Sequence, residues 1–128
     1  MQMQGKVVEE VPFTGMTVGR DSEEMCLLAR IFNGYANSTR LSILLLLARR
    51  GETKVGDLVT ELGAPQPRVS DHLRCLSWCG FVKVRRTGRN AYYSIADDRV
   101  LDMLQLGEAL LRDNIELIEA SEEIRKGA

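Results

Sequence analysis

The chain has 128 residues, 45% hydrophobic and 27% charged, which suits one compact domain with a real core and excludes a disordered charged tail. Its longest apolar run, Leu41–Ala48, is broken by Ser42 and is too short to span a bilayer, and no basic flank precedes an apolar stretch near Met1; with three cysteines, this predicts a cytoplasmic chain with no membrane partner and no disulfide framework. A net charge of −1 argues against nucleic acid, but residues 66–90 hold six bases (Arg68, Arg74, Lys83, Arg85, Arg86, Arg89) against one acid, Asp71, while the stretch from Asp97 onward holds nine acids against four bases.

Residues 1–20 lack sustained periodicity and read as a flexible N-terminal arm. A first helix opens at Asp21, with Glu24 placed for a capping pair, and stops at Asn33-Gly34. Its apolar stripe is Leu27, Leu28, Ile31 and Phe32, and Cys26 points nearly opposite. Ser38 caps a second helix, Thr39 to about Arg50, apolar enough all round to be central to the core. A short third helix runs from Thr53 through Val55, Leu58 and Val59 to Leu62, and Gly63 ends it. The fourth, from about Gln66 to Cys79, carries Pro67 in its first turn, where the missing N–H costs nothing. This order is a helix-turn-helix pattern.

After Gly80 the period switches to two. Phe81-Val82-Lys83-Val84-Arg85 and Ala91–Ile95 read as strands joined by the turn cluster Thr87-Gly88-Arg89-Asn90, a hairpin with a basic tip. A long last helix repeats Met103, Leu110, Leu117 and Ile124 every seven residues, with Leu104, Leu111 and Ile118 beside them. Two apolar columns exceed what a small monomer covers, so a homodimer is expected. The predicted fold is mainly α with a small β-hairpin, in the order α-α-α-α-β-β-α, with one domain over residues 21–120 and a C-terminal tail at 121–128.

On the fourth helix, Val69, Leu73 and Leu76 fall within an arc of about 60° and form the core face. Pro67, Ser70, Asp71 and Arg74 point away from it, a set of short polar and basic groups suited to a major groove, and Gln66 lies in the first turn. Lys83, Arg85, Arg86 and Arg89 on the hairpin suit phosphate or minor-groove contacts.

The run Gln66-Pro67-Arg68-Val69-Ser70-Asp71-His72-Leu73-Arg74-Cys75-Leu76, followed by Cys79-Gly80-Phe81-Val82, resembles the core of the ArsR/SmtB family of winged-helix metal-sensing repressors. Ala36-Asn37-Ser38-Thr39-Arg40 resembles that family's helix start, and Arg86-Thr87-Gly88-Arg89 with Tyr92-Tyr93 resembles its wing. Pro65 departs from the family's usual Ser or Thr cap. The resemblance spans residues 22–118 and implies a winged helix-turn-helix homodimer that represses an operator, an inverted repeat in double-stranded DNA, until an inducer binds. It also implies that the first helix, with Leu27 and Ile31, lies in the dimer interface together with Met103, Leu110 and Leu117, and that His72 holds or contacts DNA.

Cys75 and Cys79, four residues apart on one helix face, can chelate one soft metal ion, although small core-filling cysteines show the same spacing. Here the chain resembles the CmtR-like cadmium/lead-sensing branch, which carries a cysteine pair at this point. That branch draws a third ligand from its C-terminal tail, where this chain has no cysteine. Cys26 takes that place in our reading, from the second protomer, giving three thiolates suited to a thiophilic divalent metal such as Cd(II), Pb(II) or Hg(II). The alternative is a thiol redox switch through Cys26. A single histidine and no phosphate-cradling glycine loop argue against an enzyme.

Overall fold

The computed structural model describes residues 15–127, with side chains as far as Glu122. Residues 1–14 of the expected arm, and the side chain of Ile124, lie outside the described residues.

Helix α1 spans Glu23–Tyr35. Ser22, not Asp21, caps it: the Ser22 Oγ accepts from the Met25 N–H at 3.3 Å. Glu24 turns outward, and its Oε1 accepts from the Thr17 N–H at 2.6 Å. Gly34 does not stop the helix. It is buried, and an added Cβ there would lie 2.9 Å from Phe81 Cε2 and 3.1 Å from Cys79 Sγ, so the close approach of two elements requires glycine inside the helix.

Helix α2 spans Ser38–Arg50 and is capped by Asn37, whose Oδ1 accepts from the Arg40 N–H at 3.0 Å. Ser38 falls inside the first turn. Ile43, Leu44 and Leu47 are buried, but Leu45 is exposed, so the helix is amphipathic rather than enclosed on all sides. Strand β1 is Thr53–Lys54, antiparallel to β3 (Asn90–Ile95), and only then does α3 (Val55–Leu62) begin. The third helix is therefore shorter than its pattern suggests, because Thr53 and Lys54 pair across the sheet with Tyr93 and Tyr92.

Helix α4 spans Gln66–Trp78, and Cys79 is its C-terminal cap. Pro65 precedes it without a side-chain cap. Gly80 at φ 79° turns the chain into β2 (Val82–Thr87). β2 pairs with β3 around Gly88 at φ 60°, and the sheet order is β1-β3-β2. Helix α5 runs over Asp98–Gly127, with non-helical dihedrals at Asn114, so residues 121–127 continue the helix.

The core joins Ile43, Leu44 and Leu47 of α2, Leu58 of α3, and Val69, Leu73 and Leu76 of α4 to Phe81, Val82 and Val100. Each such side chain contributes about 1.5–3 kcal/mol of burial. The expected core face of α4 is thus observed. The stripe on α1 is only partly buried: Ile31 packs against this core, but Leu27 is 50% and Phe32 54% exposed. Along α5, Val100 alone is buried among the described side chains; Leu110 and Leu117 are 65% and 70% exposed.

A candidate nucleic-acid interface with a thiol pair on its flank

Three of the faces of α4 meet different surroundings. Val69, Leu73 and Leu76 face the core. Gln66, Ser70 and Arg74 turn toward the wing, where they line a cleft of about 760 Å³ with Lys54, Arg86 and Arg89. No carboxylate lines that cleft among the described residues, so its potential is positive. Pro67, Arg68 and Asp71 are exposed. The Asp71 carboxylate pairs with Arg74 one turn on, at 2.9 Å, which orients that guanidinium along the helix.

The cleft brings together residues from α3, α4 and all three strands. Lys54 enters it from β1, which the hydrophobic pattern does not reveal, so no sequence signal marks it as a site residue. Strand alternation sends Val84 and Arg86 toward α4 and Arg85 to the opposite face. There Arg85 makes a bidentate pair with Glu52, Nε to Oε2 and Nη2 to Oε1, both at 2.9 Å. That pair holds the Glu52 carboxyl below its usual range. Arg85 is thus placed apart from Arg86 and Arg89.

The remaining flank of α4 carries His72, Cys75 and Cys79, and it meets α1. Arg40 spans this junction: its Nε donates to the Gly34 carbonyl at 3.0 Å, its Nη2 to the Asn33 carbonyl at 2.8 Å, and its Nη1 meets His72 Nδ1 at 3.3 Å. A guanidinium only donates, so Nδ1 accepts and the imidazole is neutral with its proton on Nε2. Burial, then the charges of Arg40 and Arg68, push the His72 pKa down. His72 is therefore engaged by Arg40 rather than turned into the cleft. The sequence offered Arg40 only as part of a helix-start motif.

Cys75 and Cys79 are both half-buried and free. The Cys79 thiol lies 3.9 Å from the Arg30 carbonyl of α1. Burial pushes its pKa up, and the proximity of the Cys75 thiol adds to the effect. Cys26 is exposed on α1, its sulfur 3.8 Å from the Arg20 carbonyl. Among the described residues, no three His, Cys, Asp or Glu side chains converge within one protomer, so the structure does not bring Cys26 to the pair. Nor is any helix among them long and apolar enough to cross a membrane.

The profile described as "Bacterial regulatory protein, arsR family" matches residues 37–84, from the α2 cap into β2. A probable mercury resistance operon repressor of Streptomyces lividans is 44% identical over 86 residues, 67% of this chain and 68% of that protein. The HTH-type transcriptional regulator CmtR of Mycobacterium bovis is 38% identical over 73 residues, 57% of this chain and 61% of that one. The solution structure of a homodimeric winged helix-turn-helix DNA-binding domain from Mycobacterium bovis superposes with a TM-score of 0.67 at 31% identity, covering 80% of this chain and 94% of that one. Together with the helix-turn-helix, the basic cleft and the wing, these matches show that the chain belongs to the ArsR family, as a DNA-binding transcriptional regulator and not an enzyme.

Proposed function

We propose that the chain represses transcription as an apo homodimer on an inverted-repeat operator and leaves it when a thiophilic divalent metal, Cd(II), Pb(II) or Hg(II), joins Cys75 and Cys79. The observation that carries this reading is the thiol pair itself: two free, half-buried cysteines one helical turn apart, on the flank of α4 away from the basic cleft. Soft donors of this kind select soft ions. The name of the Streptomyces lividans relative keeps Hg(II) among the candidates.

Two thiolates leave Cd(II) or Pb(II) short of a third ligand. In this reading Cys26 of the second protomer supplies it, since α1 exposes Leu27 beside Cys26 and α5 exposes Leu110 and Leu117, an apolar surface for a second copy. Ile31 and Met103, half-buried, border it. Cys79 already touches α1 at Arg30, so ligation tying this flank to the dimer core shifts how α4 sits on α1. The two recognition helices then lose the spacing of successive major grooves, about one helical turn. A coupling of about 1–3 kcal/mol, roughly 5- to 150-fold in operator affinity, is ordinary for such a switch. On DNA, Gln66, Pro67, Ser70 and Arg74 read bases, with Arg68 and Asp71 at the edge of that surface, and Arg86 and Arg89 hold phosphates.

The test is a titration of reduced protein with Cd(II) and Hg(II), following thiolate-to-metal charge-transfer absorption and the anisotropy of an operator duplex selected from a random-sequence library. Cys75→Ser and Cys79→Ser should bind the duplex normally, lose the absorption band and ignore metal. Cys26→Ser should keep a weakened band and lose most of the release. A Cys75→Ser protein that responds like the unsubstituted chain overturns the assignment of the pair. Release by an oxidant without metal, with a disulfide to Cys26, would establish the redox switch instead.

A further inference from the structure

We propose that Glu52 and Arg85 are positioning residues that set the angle of the wing to α4, and that Arg85 does not hold a phosphate. Arg85 lies in the most basic stretch of the chain and by charge alone reads as a DNA contact. Its geometry says otherwise. The pleat puts it on the face of β2 opposite Val84 and Arg86, which line the cleft toward α4. The Nε–Nη2 edge of its guanidinium is occupied by the Glu52 carboxylate, both bonds at 2.9 Å. Its Cζ also lies 4.7 Å from the centre of the Tyr92 ring, the residue paired with it in the ladder. Only the Nη1/Nη2 end remains for a phosphate, and an anion there comes up against the Glu52 carboxylate.

The position of the pair explains what it is for. Beyond Val82, every side chain of β2 is exposed, so the wing is a ribbon with little core of its own, and such ribbons are marginal in water. Its basic tip can face DNA at a defined angle only if its base is fastened. One fastening is the two-residue pairing of β1 with Tyr92 and Tyr93. The Glu52–Arg85 pair is the other: it ties β2 to the turn that leads from α2 into β1, beside Gly51 at φ 77°. The wing is thereby referenced to α2, the same helix on which α4 rests through the core.

The experiment uses the full-length, metal-free protein and a mixed-sequence DNA duplex as the probe. Glu52→Gln and Arg85→Lys should each weaken binding roughly three- to tenfold, and the double variant should be no weaker than either single one. Exchanging the partners, Glu52→Arg with Arg85→Glu, should restore affinity to within about twofold. In the free protein, backbone amides of residues 83–94 should exchange faster in Glu52→Gln while those of α2 do not change. A phosphate contact behaves oppositely. Removing Glu52 would free Arg85 and tighten binding, Arg85→Lys would be nearly silent, and the exchanged pair would stay weak. Any one of those three results overturns the proposal. Both side chains are exposed, so the variants retain the fold, and the amide-exchange measurement needs no DNA.

Discussion

At the scale of single residues, the surface divides by what each side chain already holds. Arg86 and Arg89 line the basic cleft. Arg40, Arg74 and Arg85 are each anchored to a named partner. Arg89 near the wing tip is therefore the clean test of phosphate binding. Arg89→Ala should weaken binding to all sequences alike and lower the slope of log affinity against log salt by about 0.9 for each phosphate it no longer neutralises. An unchanged slope would remove Arg89 from the interface. Gly34 is the corresponding test of packing between α1 and the thiol flank. A Cβ there meets the Phe81 ring at 2.9 Å and Cys79 Sγ at 3.1 Å. Gly34→Ala should cost about 1–3 kcal/mol in denaturant unfolding, the usual penalty of overpacking. It should also disturb the proposed metal binding, because it presses on Cys79. Stability equal to that of the unsubstituted chain would mean that the junction is loose.

At the scale of elements, the caps decide where helices begin. Asp97 precedes α5, and its Oδ1 accepts from the Arg99 N–H at 2.9 Å while Arg99 binds both carboxylate oxygens. These bonds lower its pKa from 3.8 to about 2. A carboxylate depressed in the folded state adds stability above its unfolded pKa and loses it as pH falls. The contribution of Asp97 is thus complete above about pH 4 and disappears as pH falls through about 2. Asp97→Asn keeps a capping oxygen but not the charge. Its melting temperature should be below that of the unsubstituted chain at pH 7, and the difference should shrink to nothing toward pH 2. A difference independent of pH would show that the charge is irrelevant there.

At the scale of the molecule, the apolar surface left open is the dominant fact. Leu106, Leu110 and Leu117 of α5 are each 65% exposed or more, and Leu27 and Phe32 of α1 are exposed as well. That area is what a second copy covers in the proposed dimer. Leu110→Asp should therefore leave the monomer fold intact, because Leu110 is 65% exposed, yet shift sedimentation from dimer to monomer and abolish operator binding. A tight Leu110→Asp dimer would place the interface elsewhere.

The helices, the hairpin and the core face of α4 were legible in the sequence because each depends on spacing within one element. Val69, Leu73 and Leu76 must share a face of any helix that contains them, and Gly88 must open a turn between two alternating strands. The adjacency of Cys75 and Cys79 is local in the same sense. Other features depend on partners that are distant in the chain. Thr53 and Lys54 form a strand only because Tyr92 and Tyr93 come alongside, so β1 and the place of Lys54 in the cleft had no local signal. Gly34 stays helical because Phe81 and Cys79 pack on it, although Asn33-Gly34 reads as a stop. Arg85 and Glu52 are 33 residues apart, and charge alone assigned Arg85 to DNA. Leu27 and Phe32 share an apolar stripe yet lie at the surface, since such a stripe does not say whether its own chain or another covers it. Periodicity determined the elements and their buried faces; the docking of those faces, a balance of packing and pairing across the whole chain, decided which charges, thiols and apolar columns were left to act on something else.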